Sequence, residues 1–321
     1  MQIGLNYFML TQALLIRWAT PNLFASLWLG CICLSGTAVY ADDLSVTEES
    51  LSVHTRSVLT SGYSVDSDGG QSLSFNANLA IGTWQHLILG LVGNDQTLAA
   101  SGEQLETNTY LIGYTIDLKS NGSLGVEYEQ WGDEGELITD TIRLPLGWDA
   151  QNWSFTLMPQ RREILLDTER GRQFEVTSNG LALDIDYLGF DQWFLGVSYL
   201  INDYSEDLVA ARHNARDFCV NRTIRIFPCL EIVASYFNRL QSVTDNNQLS
   251  LAASYYAGAN TVGISWQRNE SEIDASLTYA TTLHLSTDLL DSWSLTLIVG
   301  QQYNVDNSTT EFIGGSLSYF W

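Results

Sequence analysis

Residues 72–83 read SLSFNANLAIGT, and the fold turns on how this stretch is read. Leu73, Phe75, Ala77, Leu79 and Ile81 fall on one side of an extended chain, Ser74, Asn76, Asn78 and Ala80 on the other. Side chains alternate across a β-strand with a period of two, so the stretch predicts a strand lying between two different environments. The division recurs along the chain. Tyr110, Ile112, Tyr114, Ile116 and Leu118 oppose Thr109, Gly113, Thr115 and Asp117, and Leu124, Val126 and Tyr128 oppose Gly125, Glu127 and Glu129. Trp193, Leu195, Val197, Tyr199 and Ile201 make one face of another segment. Ile273, Ala275, Leu277, Tyr279, Thr281 and Leu283 are expected to oppose Asp274, Ser276, Thr278, Thr282 and His284, and Trp293, Leu295, Leu297 and Val299 to oppose Ser294, Thr296 and Gly300.

A water-soluble β-sandwich also alternates, but its polar face carries mainly Lys, Arg, Glu and Thr. Here that face is Ser, Thr, Asn, Gly and isolated acids, and no Pro-rich or Ser/Gly-rich linker divides the 321 residues. A greasy face continuous over so many strands exceeds what one sandwich core absorbs. A closed barrel with lipid outside and a polar lumen inside accommodates it, because a sheet crossing a bilayer can leave no edge unpaired. The expected fold is all-β, a transmembrane antiparallel up-and-down barrel over residues 50–321. At roughly 19 residues per strand with its turn, length favours 14 strands, with 16 as the alternative.

Turn lengths orient the barrel. Gly82–Gln85, Lys119–Gly122, Asp149–Asn152, Gly189–Gln192, Ala257–Asn260 and the stretch Thr287–Asp291 are tight and rich in turn-forming residues. Asn94–Glu106, Gly132–Glu136 and Asp167–Arg172 are longer and polar, so the tight set is assigned to the periplasmic end. Trp84, Trp148, Trp153, Trp193, Trp293 and Trp321 cluster beside that end, as interfacial indoles do, while Trp131 and Trp266 lie toward the other. The weak place in the strand count is Asp203–Arg222. Ser205-Glu206-Asp207 followed by Arg212 and Arg216 reads as a short capped helix, whereas a polar strand there would imply a subunit interface in a homo-oligomer. Ile224, Ile226, Pro228, Leu230, Ile232, Ala234 and Tyr236 then form a lipid-facing row bulged at Pro228, with Arg225, Cys229 and Glu231 inward.

Residues 1–41 contain no acid and one base, Arg17; Leu23–Leu34 is apolar and Ser35–Ala41 supplies small residues, the pattern of a signal peptide cleaved after Ala41. Residues 42–49 would then be a short periplasmic tail. Removal of the signal peptide takes Cys31 and Cys33 with it and leaves Cys219 and Cys229 as the only thiols, and a lone pair in an exported protein favours a disulfide. The scattered histidines His54, His86, His213 and His284 offer no metal-ligand spacing, so no metal or other cofactor is expected. The formal net charge of −23, with Lys119 the one lysine, argues against nucleic acid as a partner.

The chain ends FIGGSLSYFW, Phe312–Trp321. With Tyr319 and Trp321 this strand resembles the C-terminal strand of Gram-negative outer-membrane β-barrels of the general porin type, although a final tryptophan replaces the commoner phenylalanine and Gly315 stands one place off the usual glycine. The resemblance implies location in the outer membrane, contact with its lipid and lipopolysaccharide, and Tyr319 and Trp321 as the signal read by the barrel-assembly machinery. It implies a channel only by analogy, since such barrels also host enzymes and adhesins.

Function would lie on the polar face. Asp117, Glu127, Glu129, Asp184, Asp186, Glu231 and Asp274 are assigned to the lumen with Arg56, Arg143 and Arg225. Lumenal charge sets ion selectivity, so the expectation is a porin-like channel for small hydrophilic solutes or ions, weakly cation-preferring, with Glu127 and Glu129 foremost. Arg161, Arg170 and Arg172 are placed on an outer hairpin, within reach of lipopolysaccharide phosphates, while Arg162 and Arg225 could join a lumenal wall. A structural or surface-interaction barrel with an occluded lumen is the alternative, suggested by the bulky inward residues Phe194, Phe237, Tyr256 and Phe320. The chain is not expected to be an enzyme; a lipid hydrolase is the minor alternative, resting on His284 and Ser286 as base and nucleophile.

Overall fold

A computed structural model describes residues 56–98, 103–118, 121–133, 137–167, 173–221, 237, 240, 243–303 and 308–321. The signal-peptide reading therefore lies outside the described residues, as do Arg225, Cys229, Glu231 and the row proposed for residues 224–236. In chain order the elements are β1 (Val58–Asp66), β2 (Gln71–Gly82), β3 (Gln85–Leu98), β4 (Glu103–Leu118), β5 (Gly122–Asp133), β6 (Leu137–Arg143), β7 (Leu146–Ala150) and β8 (Trp153–Asp167). They continue with β9 (Gln173–Phe190), β10 (Trp193–Tyr204), helix α1 (Leu208–Asn221), β11 (Asp245–Ala257), β12 (Asn260–Ser271), β13 (Leu277–Leu290), β14 (Trp293–Tyr303) and β15 (Thr309–Phe320). Every pairing is antiparallel and between neighbours, and β1 pairs with β15 from Val58↔Phe320 to Asp66↔Phe312, so the sheet closes on itself.

The fifteen strands make fourteen staves, because β6 and β7 both run between β5 and β8 and are two halves of one. The break falls at Leu144-Pro145, where proline has no N–H to give the ladder. Carbonyl groups take over: Gly125 N donates to Pro145 O at 2.8 Å and Leu144 N to Pro159 O at 3.0 Å. A Cβ on Gly125 would approach Pro145 Cγ to 2.8 Å, so the stave can bend inward only beside a glycine.

The greasy register faces out. Leu73 and Phe75 are 62% and 47% exposed, and Ile112, Val126, Leu183, Val197, Leu285 and Leu297 are exposed likewise. Leu73 to Ile81 on β2 covers about 20 Å along the membrane normal at ~3.3 Å per residue and a tilt near 40°, most of the ~25 Å apolar band of such barrels. At the inner end the aromatic girdle is continuous in short steps: Trp153–Tyr187 at 4.6 Å, Trp193–Tyr255 at 5.0 Å, Trp293–Tyr319 at 4.7 Å and Tyr319–Trp321 at 5.6 Å. The tight turns all lie at this end. At the other end the strands are longer than the polar runs suggested, with β3 reaching Leu98 and β4 beginning at Glu103.

Three expectations change. First, β10 pairs directly with β11, so the wall closes with fourteen staves and takes no further strand between these two. Second, Ile273 and Asp274 belong to the β12–β13 turn, where Ala275 has φ 53°; Asp274 is exposed at the outer rim and is no wall residue. Third, α1 runs from Leu208 to Asn221, so Arg212 and Arg216 lie in its middle rather than at its end, with Cys219 in its last turn. Asp207 caps it, accepting from Ala210 N at 2.8 Å.

Closure is completed at the chain end, where Ser57 and Trp321 exchange two backbone hydrogen bonds of 3.1 Å each. Deleting Trp321 removes both, together with its stack on Tyr319. Membranes of cells expressing this truncation should hold several-fold less folded barrel, and the barrel that forms should lose its heat-modifiable gel mobility at lower temperature than the full chain; equal yield and equal melting would show the terminal indole dispensable.

Candidate functional site

Inward from the wall, the outer mouth holds a small hydrophobic core. Trp131 on β5, Leu137 on β6, Ile164 and Leu166 on β8 and Val176 on β9 occupy the lumenal register at the outer ends of their strands. All are buried, Ile164 and Val176 completely. Apolar side chains in that register need something to cover them, and the connection after β10 supplies it. Leu208 of α1, Phe237, Leu240 and Val243 join the same cluster, with Ala211 and Ala215 packed against it. Ile273, 1% exposed, inserts from the β12–β13 turn. The described residues of this connection, α1 with Phe237, Leu240 and Val243, thus cover the mouth as a lid, as the helical reading of residues 203–222 allowed. Burying a side chain of this size contributes about 1.5–3 kcal/mol, so the cluster is a substantial anchor.

Beneath the lid a belt of polar bonds runs around the wall. Glu129 accepts from Arg143 Nη2 at 2.8 Å and Nη1 at 3.0 Å; Arg143 Nε donates to Gln160 at 3.4 Å, Gln160 to Asn202 at 2.9 Å, and Asn202 to the Asp245 carbonyl at 2.8 Å. The Gln160–Asn202 bond passes over β9 at Gly180, where a Cβ would lie 2.3 Å from Asn202 Oδ1. Arg162 ties lid to wall, donating to the Val243 carbonyl at 3.0 Å and to Thr141 Oγ1 at 3.3 Å. Tyr204 donates to the Asp245 carbonyl at 3.1 Å. Glu127 lies 4.0 Å from Arg143, on the same patch.

The carboxylates Glu127 and Glu129, singled out from sequence, are therefore brought together with Arg143 in a compensated cluster. Lower on the wall, Asp149, Ser154 and Asp186 lie in one cross-strand row, with Asp184 two residues along β9 and hydrogen-bonded to Ser198. None of these three aspartates has an ion-pair partner among the described residues. Asp117 faces His86 at 3.3 Å. His284 and Ser286 share the lumenal face of β13, but each has other partners: His284 Nε2 lies 3.3 Å from Ser254 Oγ, and Ser286 Oγ lies 3.1 Å from Ser294 Oγ and 2.9 Å from Thr296 Oγ1. Outside the wall Arg161 pairs with Glu163 at 3.3 Å on the exposed upper hairpin. Arg56 precedes β1 and is exposed.

Sequence reading missed Asn202, Gln160 and Asp149. The first two carry no charge, and the third lay in a segment assigned to a turn; their lumenal register follows only once the strand pairings are known.

No protein-family model and no curated protein matches the sequence. Among solved structures the chain is similar to a loop-deleted form of OmpT, an outer membrane protein of Vibrio cholerae, at 11% identity and TM-score 0.42, over 83% of this chain and 98% of that one. It is similar to the CymD monoaromatic hydrocarbon channel at 10% and 0.48, over 82% and 87% of the two chains, and to a Pseudomonas aeruginosa FadL homologue at 10% and 0.49, over 82% and 90%. Likeness at this level extends to the barrel architecture alone. The closed wall and its lipid-facing band are those of a bacterial outer-membrane β-barrel protein.

Two outcomes follow from the site. Arg143→Met leaves Glu129 buried without its cation, a change that costs about 3–5 kcal/mol, whereas the double change with Glu129→Gln recovers most of it; chemical unfolding in detergent measures both. At the lid, burial, then Asp207, Asp203 and Glu270, hold the Glu272 carboxyl above its ordinary range. Burial acts the same way on Asp274, but hydrogen bonds from Ser276 and Ser271 and the charge of Arg212, 3.6 Å away, outweigh it and hold Asp274 low. A carboxyl raised in the docked state favours docking while protonated and opposes it as pH climbs through the raised value. Amides of α1 should exchange more slowly in mild acid than expected from intrinsic rates, and Glu272→Gln should give that protection at neutral pH.

Proposed function

We propose that the protein is a porin-like channel for passive movement of small hydrophilic solutes and ions, weakly cation-preferring, with its outer mouth narrowed by the inward-folded connection. The observation that carries this reading is the inward register itself. Below the apolar cluster under the lid it is built mainly of hydroxyls, amides and charged groups, with isolated apolar residues such as Ile88 and Ile298. A dry interior would leave these groups unsolvated at a cost of some kcal/mol each, so a wall of this composition is made to be wet.

Cation preference rests on the uncompensated carboxylates. Glu129 and Glu127 share Arg143, so their field largely cancels, while Asp149, Asp184 and Asp186 near the inner mouth have no such counter-charge. In planar bilayers under a salt gradient the wild type should show a cation-selective reversal potential. Asp184→Asn with Asp186→Asn should lower the cation-to-anion permeability ratio by roughly two-fold, and Glu127→Gln should move it less. Anion preference, or equal effects of the two changes, would overturn this assignment of charge.

The lid favours a second reading, a barrel occluded at rest and used as a surface platform, since the cluster around Leu208 packs as tightly as a protein core. Leu208→Asp puts a charge into that cluster. A rise in conductance of several-fold in this variant marks the lid as the constriction of a channel. No conductance in either form, from barrels inserted normally, selects the platform.

A further inference from the structure

The lumen has two unlike sides. Going round the ring from β11 through β12, β13, β14, β15, β1 and β2 to β3, eight adjacent strands place no Glu, Lys or Arg on their inward face among the described residues. The inward aspartates Asp66, Asp245 and Asp288 stand at strand ends. Between these ends the face is mostly hydroxyl, amide and glycine, interrupted by Ile88, Val92, Ile298 and Phe312: Ser74, Asn76, Ser265, Thr296 and Ser316 are half-buried along the lumen at mid-height. Two histidines, His86 and His284, and Tyr256 at the inner end are the remaining titratable groups of this face. The compensated charges, the free carboxylates and the wall anchors of the lid all lie on the other arc, β4 to β10.

The uncharged arc also holds polar atoms with nothing to bond. Asn94 is 6% exposed and neither its Oδ1 nor its Nδ2 has a partner; the same holds just across the seam on β4, the first strand of the charged arc, where Thr107, directly opposite, and Thr109 are as deeply buried and have unpartnered hydroxyls. Asn78 Oδ1 and Ser250 Oγ are in the same condition lower down. Buried groups of this kind are normally satisfied, so those that the protein leaves open are satisfied by something that enters the lumen.

We infer that the solutes this channel favours are neutral and hydroxyl-rich, of the size of a simple sugar, and that they move along the β11–β3 arc, exchanging hydrogen bonds with its serines, threonines and asparagines. This rests on the channel reading and names its substrate class. Neutral solutes gain nothing from the charged arc and would have to strip water from its ions; on the other side each hydroxyl they desolvate finds a neutral donor or acceptor. Ions keep to the wetter carboxylate side, so one lumen serves both without a charged selectivity ring.

The test is uptake of arabinose, glucose and sucrose by proteoliposomes, read by swelling, beside salt conductance of the same preparations in planar bilayers. Wild type should admit arabinose and glucose. Ser265→Trp and Ser74→Trp, which put bulk on the uncharged arc from two different strands, should each lower the glucose rate five-fold or more while the salt reversal potential stays within a few millivolts of wild type. Ile264→Trp, which adds the same bulk to the lipid face beside Ser265, should leave the glucose rate unaltered. Wild-type glucose rates in both lumenal variants, or an equal fall in Ile264→Trp, overturn the path. Barrels that conduct salt but exclude both monosaccharides overturn the solute class while the channel stands. Barrels that pass neither salt nor sugar overturn the channel, and this inference with it.

Discussion

In hydrocarbon there is no water to satisfy a peptide group, and that one constraint organises the molecule. A sheet with a free edge would expose a row of N–H and C=O groups to lipid, so β15 must return to β1, and it does so over nine cross-strand partners from Val58↔Phe320 to Asp66↔Phe312. Closure explains the bend at Pro145 as well. A proline in a wall strand removes a donor that nothing in lipid can replace, and the stave answers by splitting into β6 and β7 and re-aiming the carbonyls of Pro145 and Pro159 at Gly125 and Leu144. The placement of glycine at 125 is then a consequence of backbone accounting, since any larger side chain would meet the proline ring.

The same constraint leaves the interior free, and here the interior is divided. Once a barrel of fourteen staves is closed its lumen can be filled or wetted, and nothing in the membrane decides which. The upper part of the β5–β9 arc is filled. Its inward residues Trp131, Leu137, Ile164, Leu166 and Val176 are apolar because Leu208 of α1, Phe237, Leu240 and Val243 lie on them. Below and opposite, the inward residues turn polar within one or two positions, as Leu137 gives way to Thr139, Thr141 and Arg143 on β6. The boundary between apolar and polar lumen marks where the lid stops.

How much of this could be read from the chain depends on what each residue's neighbours are. The alternation in SLSFNANLAIGT is a local property, so strand, face and lipid contact are legible there, and the aromatic residues at the tight turns fix the orientation for the same reason. Ile224 to Tyr236 alternates equally well, yet β10 goes on to pair with β11, because alternation records only that a strand is possible. Ile273 looked like the start of a strand because its apolar side chain kept the register of Leu277 and Tyr279; its actual partner is the lid, contacted across the mouth. Asp207 with the following residues was legible as a helix start because capping is local. Glu127 and Glu129 were legible as lumenal but not as compensated, since Arg143 reaches them from the next stave.

Charge placement then separates structural from functional groups inside the barrel. A carboxylate buried against a guanidinium gives little field beyond the pair, and the energy of breaking it exceeds that of making it, so Glu129 and Arg143 act as a fastening. Gln160, Asn202 and the Asp245 carbonyl extend that fastening around to the strand where the lid rejoins the wall, and Arg162 holds the lid's last residues from beside it. The strong polar contacts of the upper β5–β10 arc thus fasten its strands to one another and hold the lid against them. What remains to meet a solute is what those contacts leave over: three aspartates near the inner mouth and an eight-strand face of neutral donors and acceptors. On the proposed channel reading a single closed wall has both to hold its lid and to admit solutes past it, and paired charges that anchor beside unpaired groups that stay wet meet both demands.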